Sequence, residues 1–128
     1  MTSARQRVFT GARWEDRYGY SRAIRAGNVI AVSGTVGRNP DGTVPDGAYA
    51  QARRALEIIV AALAELGAGP EHVVRTRTFV TAIAFFEDVA RAHAAVFGEV
   101  KPAASLVAVD ALVEPVYLLE IEADAITD

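Results

Sequence analysis

The run 116–125, VYLLEIEADA, carries three carboxylates at alternate positions, Glu120, Glu122 and Asp124. Period-two alternation is that of a β-strand, with Tyr117, Leu119, Ile121, Ala123 and Ala125 on one face and Val116, Leu118 and the acids on the other. Such a row of acids has two readings. It can be a solvated face, ion-paired with arginines such as Arg75 and Arg77. Alternatively Glu120, the acid nearest the apolar end, lies in a cleft where desolvation lifts its pKa toward the range useful for moving protons. Few other groups compete for chemistry. The chain has no cysteine and no phosphate loop of the GxxxxGKS type, and His72 and His93 stand 21 residues apart on different elements. Both histidines read as structural or solvated, so metal catalysis is not expected.

The elements that must position these groups follow from periodicity. Residues 21–33, SRAIRAGNVIAVS, form two short β-branched segments hinged at Gly27-Asn28, which suits a hairpin. Asn39-Pro40-Asp41-Gly42 is a turn. From Tyr49 to Leu66 the period becomes helical, with Ala52, Ala55, Leu56, Ile59, Leu63 and Leu66 on one face and a stop at 67–70. Residues 73–81 alternate again, placing Val74, Thr76, Thr78 and Val80 on one side and Arg75, Arg77 and Phe79 on the other. Residues 85–97 return to helical spacing through Phe86, Val89, Ala90, His93 and Phe97. Strands then fit 105–109 and 116–125, parted by a loop with Pro115. Two helices for five or six strands predict an α+β fold: one mixed sheet with both helices on one face. The other face needs its own cover, which a second subunit supplies.

Composition agrees with that economy. With 128 residues the chain has room for one domain over 1–128, residues 1–17 forming an N-terminal extension and loop. Hydrophobic residues make up 52% and mean hydropathy is +0.20, an excess that fits a subunit interface. No apolar run approaches the roughly 18 residues a membrane span requires. Net charge is -3 and the pI about 5.4, so nucleic acid and anionic lipid are not expected partners. Without cysteine or an apolar N-terminal stretch, the expected location is cytoplasmic.

Several segments together carry a family resemblance. Tyr20-Ser21-Arg22-Ala23, Gly27-Asn28 leading into Val32-Ser33-Gly34, the helix from Gln51 to Leu66, Val73-Val74-Arg75-Thr76, Lys101-Pro102-Ala103 and Leu119-Glu120-Ile121-Glu122-Ala123 occur in this order. In order and spacing they resemble the reactive intermediate deaminase family, RidA or YjgF, over residues 18–126. The resemblance implies a chorismate-mutase-like fold and a homotrimer whose sheets form a central barrel, with small-molecule clefts between neighbouring subunits. It also implies hydrolysis of reactive enamines and imines to a ketoacid and ammonia, without cofactor.

In that family an arginine within Pro-Ala-Arg-Ser grips the substrate carboxylate, a task suited to the guanidinium fork. Here the segment reads Pro102-Ala103-Ala104-Ser105, so the chain resembles a subgroup lacking that arginine, and Ala90 stands where many members have asparagine. Tyr20, Ser33, Gly34 and Glu120 match the rest of the pocket. The resemblance thus implies Glu120 as the catalytic group, with Tyr20, Ser33, Gly34, Ala104, Ser105 and Arg77 as substrate-binding positions. Losing a charge-assisted anchor costs about 2 kcal/mol or more, which argues against amino-acid imines unless Arg77 or Lys101 substitutes. Each of these cations also has a plainer reading, Arg77 as an ion-pair partner and Lys101 as a loop lysine. Tyr20 can be packing or a phenol that orders a ligand, Ser33 can simply end a strand, and Trp14 can lid a cleft or anchor its loop. Three functions remain open: a hydrolase of C–N bonds, a binding trimer without chemistry, and an RNA-cleaving enzyme, which the acidic composition disfavours.

Overall fold

The computed structural model describes residues 4–128. Residues 1–3 of the expected N-terminal extension lie outside the described residues. The strands are β1 (Gln6–Val8), β2 (Ala23–Ala26), β3 (Val29–Thr35), β4 (Val73–Val80), β5 (Ala103–Ala108) and β6 (Leu119–Ile126). The helices are α1 (Ala48–Glu65) and α2 (Phe86–Phe97). One six-stranded sheet runs β1-β2-β3-β6-β4-β5. Only the β4–β5 pair is parallel, so the sheet is mixed. No helix among the described residues is long and apolar enough to cross a membrane.

The expected hairpin is β2–β3, closing at Gly27 with φ of 61°. β1 is an addition: three residues of the expected extension pair with β2, too short a run for periodicity to reveal. A parallel pair cannot be joined by a tight turn, and α2 is the crossover that β4 and β5 require. That requirement lays α2 along the β5 edge. α1 covers the middle of the same face, burying Leu56, Ile59 and Leu63 against Ile30, Ile121 and Ala123. Each such side chain contributes about 1.5–3 kcal/mol relative to exposure, which fixes the helix on the sheet.

α1 ends where the sequence places its stop. Gly67 takes φ of 80°, its N–H donates to the Ala64 carbonyl at 3.1 Å, and the Ala68 N–H donates to the Leu63 carbonyl at 2.9 Å. This paired closure satisfies two carbonyls that the helix end leaves free.

Two expected faces shift. In β4 the register slips between Val73 and Arg75, so Val73 (3% exposed) turns inward while Val74 (45%) turns out, contrary to strict alternation. In α2 the buried residues are Val89, Ala92 and Phe97, whereas Phe86 is 49% exposed and His93 only partly covered. The stripe is rotated because α2 leans over the sheet edge and leaves an opening beneath Ala90 and His93. β6 also starts later than the alternation suggests. The backbone before it is held instead by the buried Gln51, whose side chain accepts from the Leu118 N–H at 2.9 Å and donates to the Val116 and Pro45 carbonyls at 3.1 and 3.2 Å.

Among the described residues, none covers the other face of the sheet. It carries Val29, Ile126 and Val107, each nearly half exposed, beside Arg77, Glu120, Glu122 and Asp124.

Candidate functional site

Two groups of side chains stand out. The first gathers around Arg22, just before β2. Its guanidinium is buried, with the residue 6% exposed. Nη1 donates to the Gly34 carbonyl at 2.6 Å and to Thr35 Oγ1 at 2.8 Å, and Nη2 donates to the Tyr20 hydroxyl at 3.1 Å. The guanidinium carbon also lies 5.3 Å from the Tyr20 ring centre. A buried cation needs a counter-charge, and Glu15 supplies it, with Oε2 at 4.0 Å from Arg22 Nε. Glu15 sits at the start of a π-helical turn, Glu15–Gly19, and accepts from the Thr10 N–H and hydroxyl and from the Gly11 N–H. The loop, the hairpin and Tyr20 are thereby tied to one ion pair.

Glu120 stands at the edge of this network. It projects from β6 onto the uncovered face, and its carboxyl folds over Gly34: a Cβ built there would come within 2.6 Å of Glu120 Cδ. Glycine at 34 is what leaves room for the carboxyl. Burial pushes the Glu120 pKa up from the ordinary carboxylate range, the Arg22 charge pulls it down, and Glu122 adds a smaller upward push. Ser33 donates its hydroxyl to the Ser21 carbonyl at 2.7 Å, closing the hairpin beside the same group.

The second group surrounds a cavity of about 260 Å³ between α2 and the β4–β5 edge. Ala104 and Ser105 of β5 line it, with Thr76 and Thr78 of β4 and Phe86, Val89, Ala90 and His93 of α2. Thr76 Oγ1 and His93 Nε2 lie 2.8 Å apart, and the imidazole packs on Phe97 with ring centres 4.8 Å apart. Burial lowers the His93 pKa, which favours the neutral ring.

A family model described as Endoribonuclease L-PSP matches residues 10–127. The chain belongs to this family, also known as YjgF/RidA/UK114. A Mycobacterium tuberculosis member of the YjgF/YER057c/UK114 family superposes with a TM-score of 0.90 at 43% identity, over 97% of this chain and all of the other. E. coli TdcF, solved with bound serine, aligns at a TM-score of 0.79 and 26% identity, over 85% of this chain and 88% of TdcF. Among curated proteins, an uncharacterized protein of Streptomyces coelicolor is 35% identical over 127 residues, 98% of this chain and 95% of that protein. A RutC family protein of Pyrococcus abyssi is 36% identical over 108 residues, covering 83% and 84% of the two chains.

The positions that the resemblance singles out fall into the two groups. Tyr20, Ser33, Gly34 and Glu120 come together around Arg22. Ala104 and Ser105 lie at the cavity, and Ala90 lines the same space. Arg77 joins neither group: its Nη1 lies 3.1 Å from Glu122 Oε1 and 3.4 Å from Asp124 Oδ2 on the open face. Lys101 makes the turn from α2 into β5 with φ of 53°. Trp14 is flanked by the guanidiniums of Arg13 and Arg17 at 5.1 and 4.8 Å from its ring. His72 accepts from the Gly69 N–H at 2.9 Å through Nδ1, a structural role. Among the described residues no three histidines or carboxylates gather as a metal site would need. Sequence reasoning missed the Glu15–Arg22 pair, which joins a loop to a strand entrance and leaves no trace in periodicity. It also set His93 aside as structural; its hydrogen bond to a threonine on another element is a tertiary event.

Proposed function

We propose that three copies assemble around their uncovered sheet faces, and that each cleft between neighbours binds a small molecule lacking the amino-acid carboxylate. Glu120 of one copy then faces the Ala104 cavity of the next. The carrying observation is the partition of the positions that the resemblance names: Glu120 folds over Gly34 beside Arg22, whereas Ala104 and Ser105 lie at the cavity along the β4–β5 edge, a spread that a neighbouring copy would bring together. The apolar fringe of the open face suits such burial.

In this reading the reaction is water addition to a C=N bond or a related electrophilic C–N intermediate. Glu120 takes a proton from the attacking water as the C–O bond forms and passes it to nitrogen, giving a carbinolamine; it then takes the hydroxyl proton as the carbonyl forms and delivers it to nitrogen as the C–N bond breaks, releasing a carbonyl compound and an amine or ammonia. An acid with a raised pKa is suited to both transfers. The Tyr20 phenol already accepts from Arg22, so its own proton is free to orient water or ligand. The bound serine of TdcF supports small-molecule binding in a relative. RNA cleavage draws no support from a net charge of -3 and an acidic strand face. A binding trimer without chemistry is the second reading, favoured by Ala104 standing where the resemblance expects an arginine.

The test is a panel of imines and enamines with and without a carboxylate, followed by ammonia release, alongside sedimentation of the protein. A trimer that turns over only carboxylate-free substrates supports the proposal. A monomer overturns the shared cleft, and a trimer inert toward the whole panel moves the reading to the binding module.

A further inference from the structure

We infer that the cavity between α2 and the β4–β5 edge is the specificity pocket of the proposed cleft. It takes a neutral group the size of one six-membered ring with a short substituent, and the Thr76–His93 pair reads a single hydrogen-bonding heteroatom on it. The inference rests on the small-molecule reading above but on none of its chemistry.

Size sets the first limit. A dry apolar cavity of about 150 Å³ accommodates benzene. The 260 Å³ here is larger and open to solvent, enough for a ring and one or two further heavy atoms. The walls set the second limit: Phe86, Val89, Ala90 and Ala104 are apolar, and no lysine, arginine, aspartate or glutamate lines the space. An anion entering it would shed water and meet no cation. Ala90 and Ala104 create the room, since longer side chains at these positions would fill it.

The third limit is polarity. Thr76 is fully buried and its hydroxyl engages His93, so the pair is fixed in place before any ligand arrives. Thr78, 3% exposed, adds a second hydroxyl to the lining. A neutral imidazole offers one donor and one acceptor, and the threonine hydroxyl can take either role toward it. Burial favours the neutral ring, and no carboxylate in the lining opposes that.

Three probes built on one phenyl ring separate these limits: toluene, benzyl alcohol and benzoate, titrated into the intact protein with NMR shifts as readout. Benzyl alcohol should bind most tightly and benzoate least, with shifts centred on Ala90, His93 and Ala104. Thr76→Val and His93→Phe should each weaken benzyl alcohol up to about tenfold, the size of one hydrogen bond, while leaving toluene within about twofold. Ala104→Phe, on an exposed edge strand, should abolish binding of both while leaving the fold intact. Benzoate binding as well as benzyl alcohol, with His93 moving to the imidazolium form, would overturn the inference: the histidine would then be the family's missing cation. Shifts that map away from the cavity, or benzyl alcohol indifferent to both substitutions of the pair, would overturn it too. Probe binding in an assembly inert toward every imine upholds the pocket and counts only against the chemistry.

Discussion

The Arg22 network and the α2–β5 cavity are opposite ways of building half a site. Around Arg22, charges are buried close together, and hydrogen bonds from three segments hold them. At the cavity one hydroxyl–imidazole pair and two further hydroxyls, those of Thr78 and Ser105, stand in a largely apolar wall without charge. The first half is rigid because any displaced partner leaves a buried charge exposed to low dielectric. The second is permissive, because apolar walls impose size and little else. In the proposed reading, chemistry that moves protons falls to the first group and ligand choice to the second.

The comparison breaks most visibly at Arg22. Replacing it with methionine keeps the volume and strands the Glu15 carboxylate without its counter-charge. The expected loss is about 3–5 kcal/mol of stability, measured by denaturant melts. Adding Glu15→Gln should restore part of that loss. If Arg22→Met melts like the parent, the ion pair is not what holds the half-site together. No substitution of the cavity wall should approach this cost, because no charge is buried there.

Glu120 comes next. Glu120→Gln should lower turnover of any identified substrate at least about a hundredfold while the fold persists. Its pH signature has a defined sign. Burial raises the Glu120 pKa in the fold, so folding favours the protonated acid, and its contribution is greatest at low pH. That contribution is lost as pH rises through the ordinary carboxylate range and up to the raised value. Glu120→Gln should therefore gain stability relative to the parent at neutral pH and not at acid pH. A difference independent of pH would return Glu120 to the solvated face. Gly34→Ala sharpens the point, since its Cβ would push a flexible carboxyl aside without touching backbone. About tenfold lower activity at unchanged melting temperature is expected, and unchanged activity would show that the carboxyl's seat is unimportant.

How much of this was legible in the sequence depends on the range of the interaction. The two helices, the β2–β3 hairpin, β4 and the acidic face of β6 follow from periodicity, because each is local. β1 was not legible, since three residues carry no period, and neither was the slip at Val73, which depends on how β4 meets β6. The resemblance named Tyr20, Gly34 and Glu120, which the fold brings together. It could not say that Arg22 joins them or that Ala90 and Ala104 border one space with His93. Those relations exist only after α2 has crossed over the sheet.

The smallest effect is also the most pointed test of the difference between the two halves. Ala104→Arg places a cation in the half that has none, on an exposed edge strand where the side chain has room to extend along the cavity. If lack of charge is what excludes amino-acid imines, ammonia release from carboxylate-bearing imines should rise severalfold and that from neutral ones should fall. The gain should be partial: a long side chain occupies space that the apolar walls leave for the ligand, and Ala90 offers no amide beside it. Selectivity should change more than rate, because in the proposed assembly the Glu120 group of the neighbouring copy is untouched. Were the parent already as fast on carboxylate-bearing imines, some other cation would be supplying the anchor. Arg77, freed from Glu122 and Asp124, would then be the first to replace. A folded trimeric Ala104→Arg protein with no activity on either class would mean that the acid half no longer moves protons, leaving two preserved half-sites that bind without reacting.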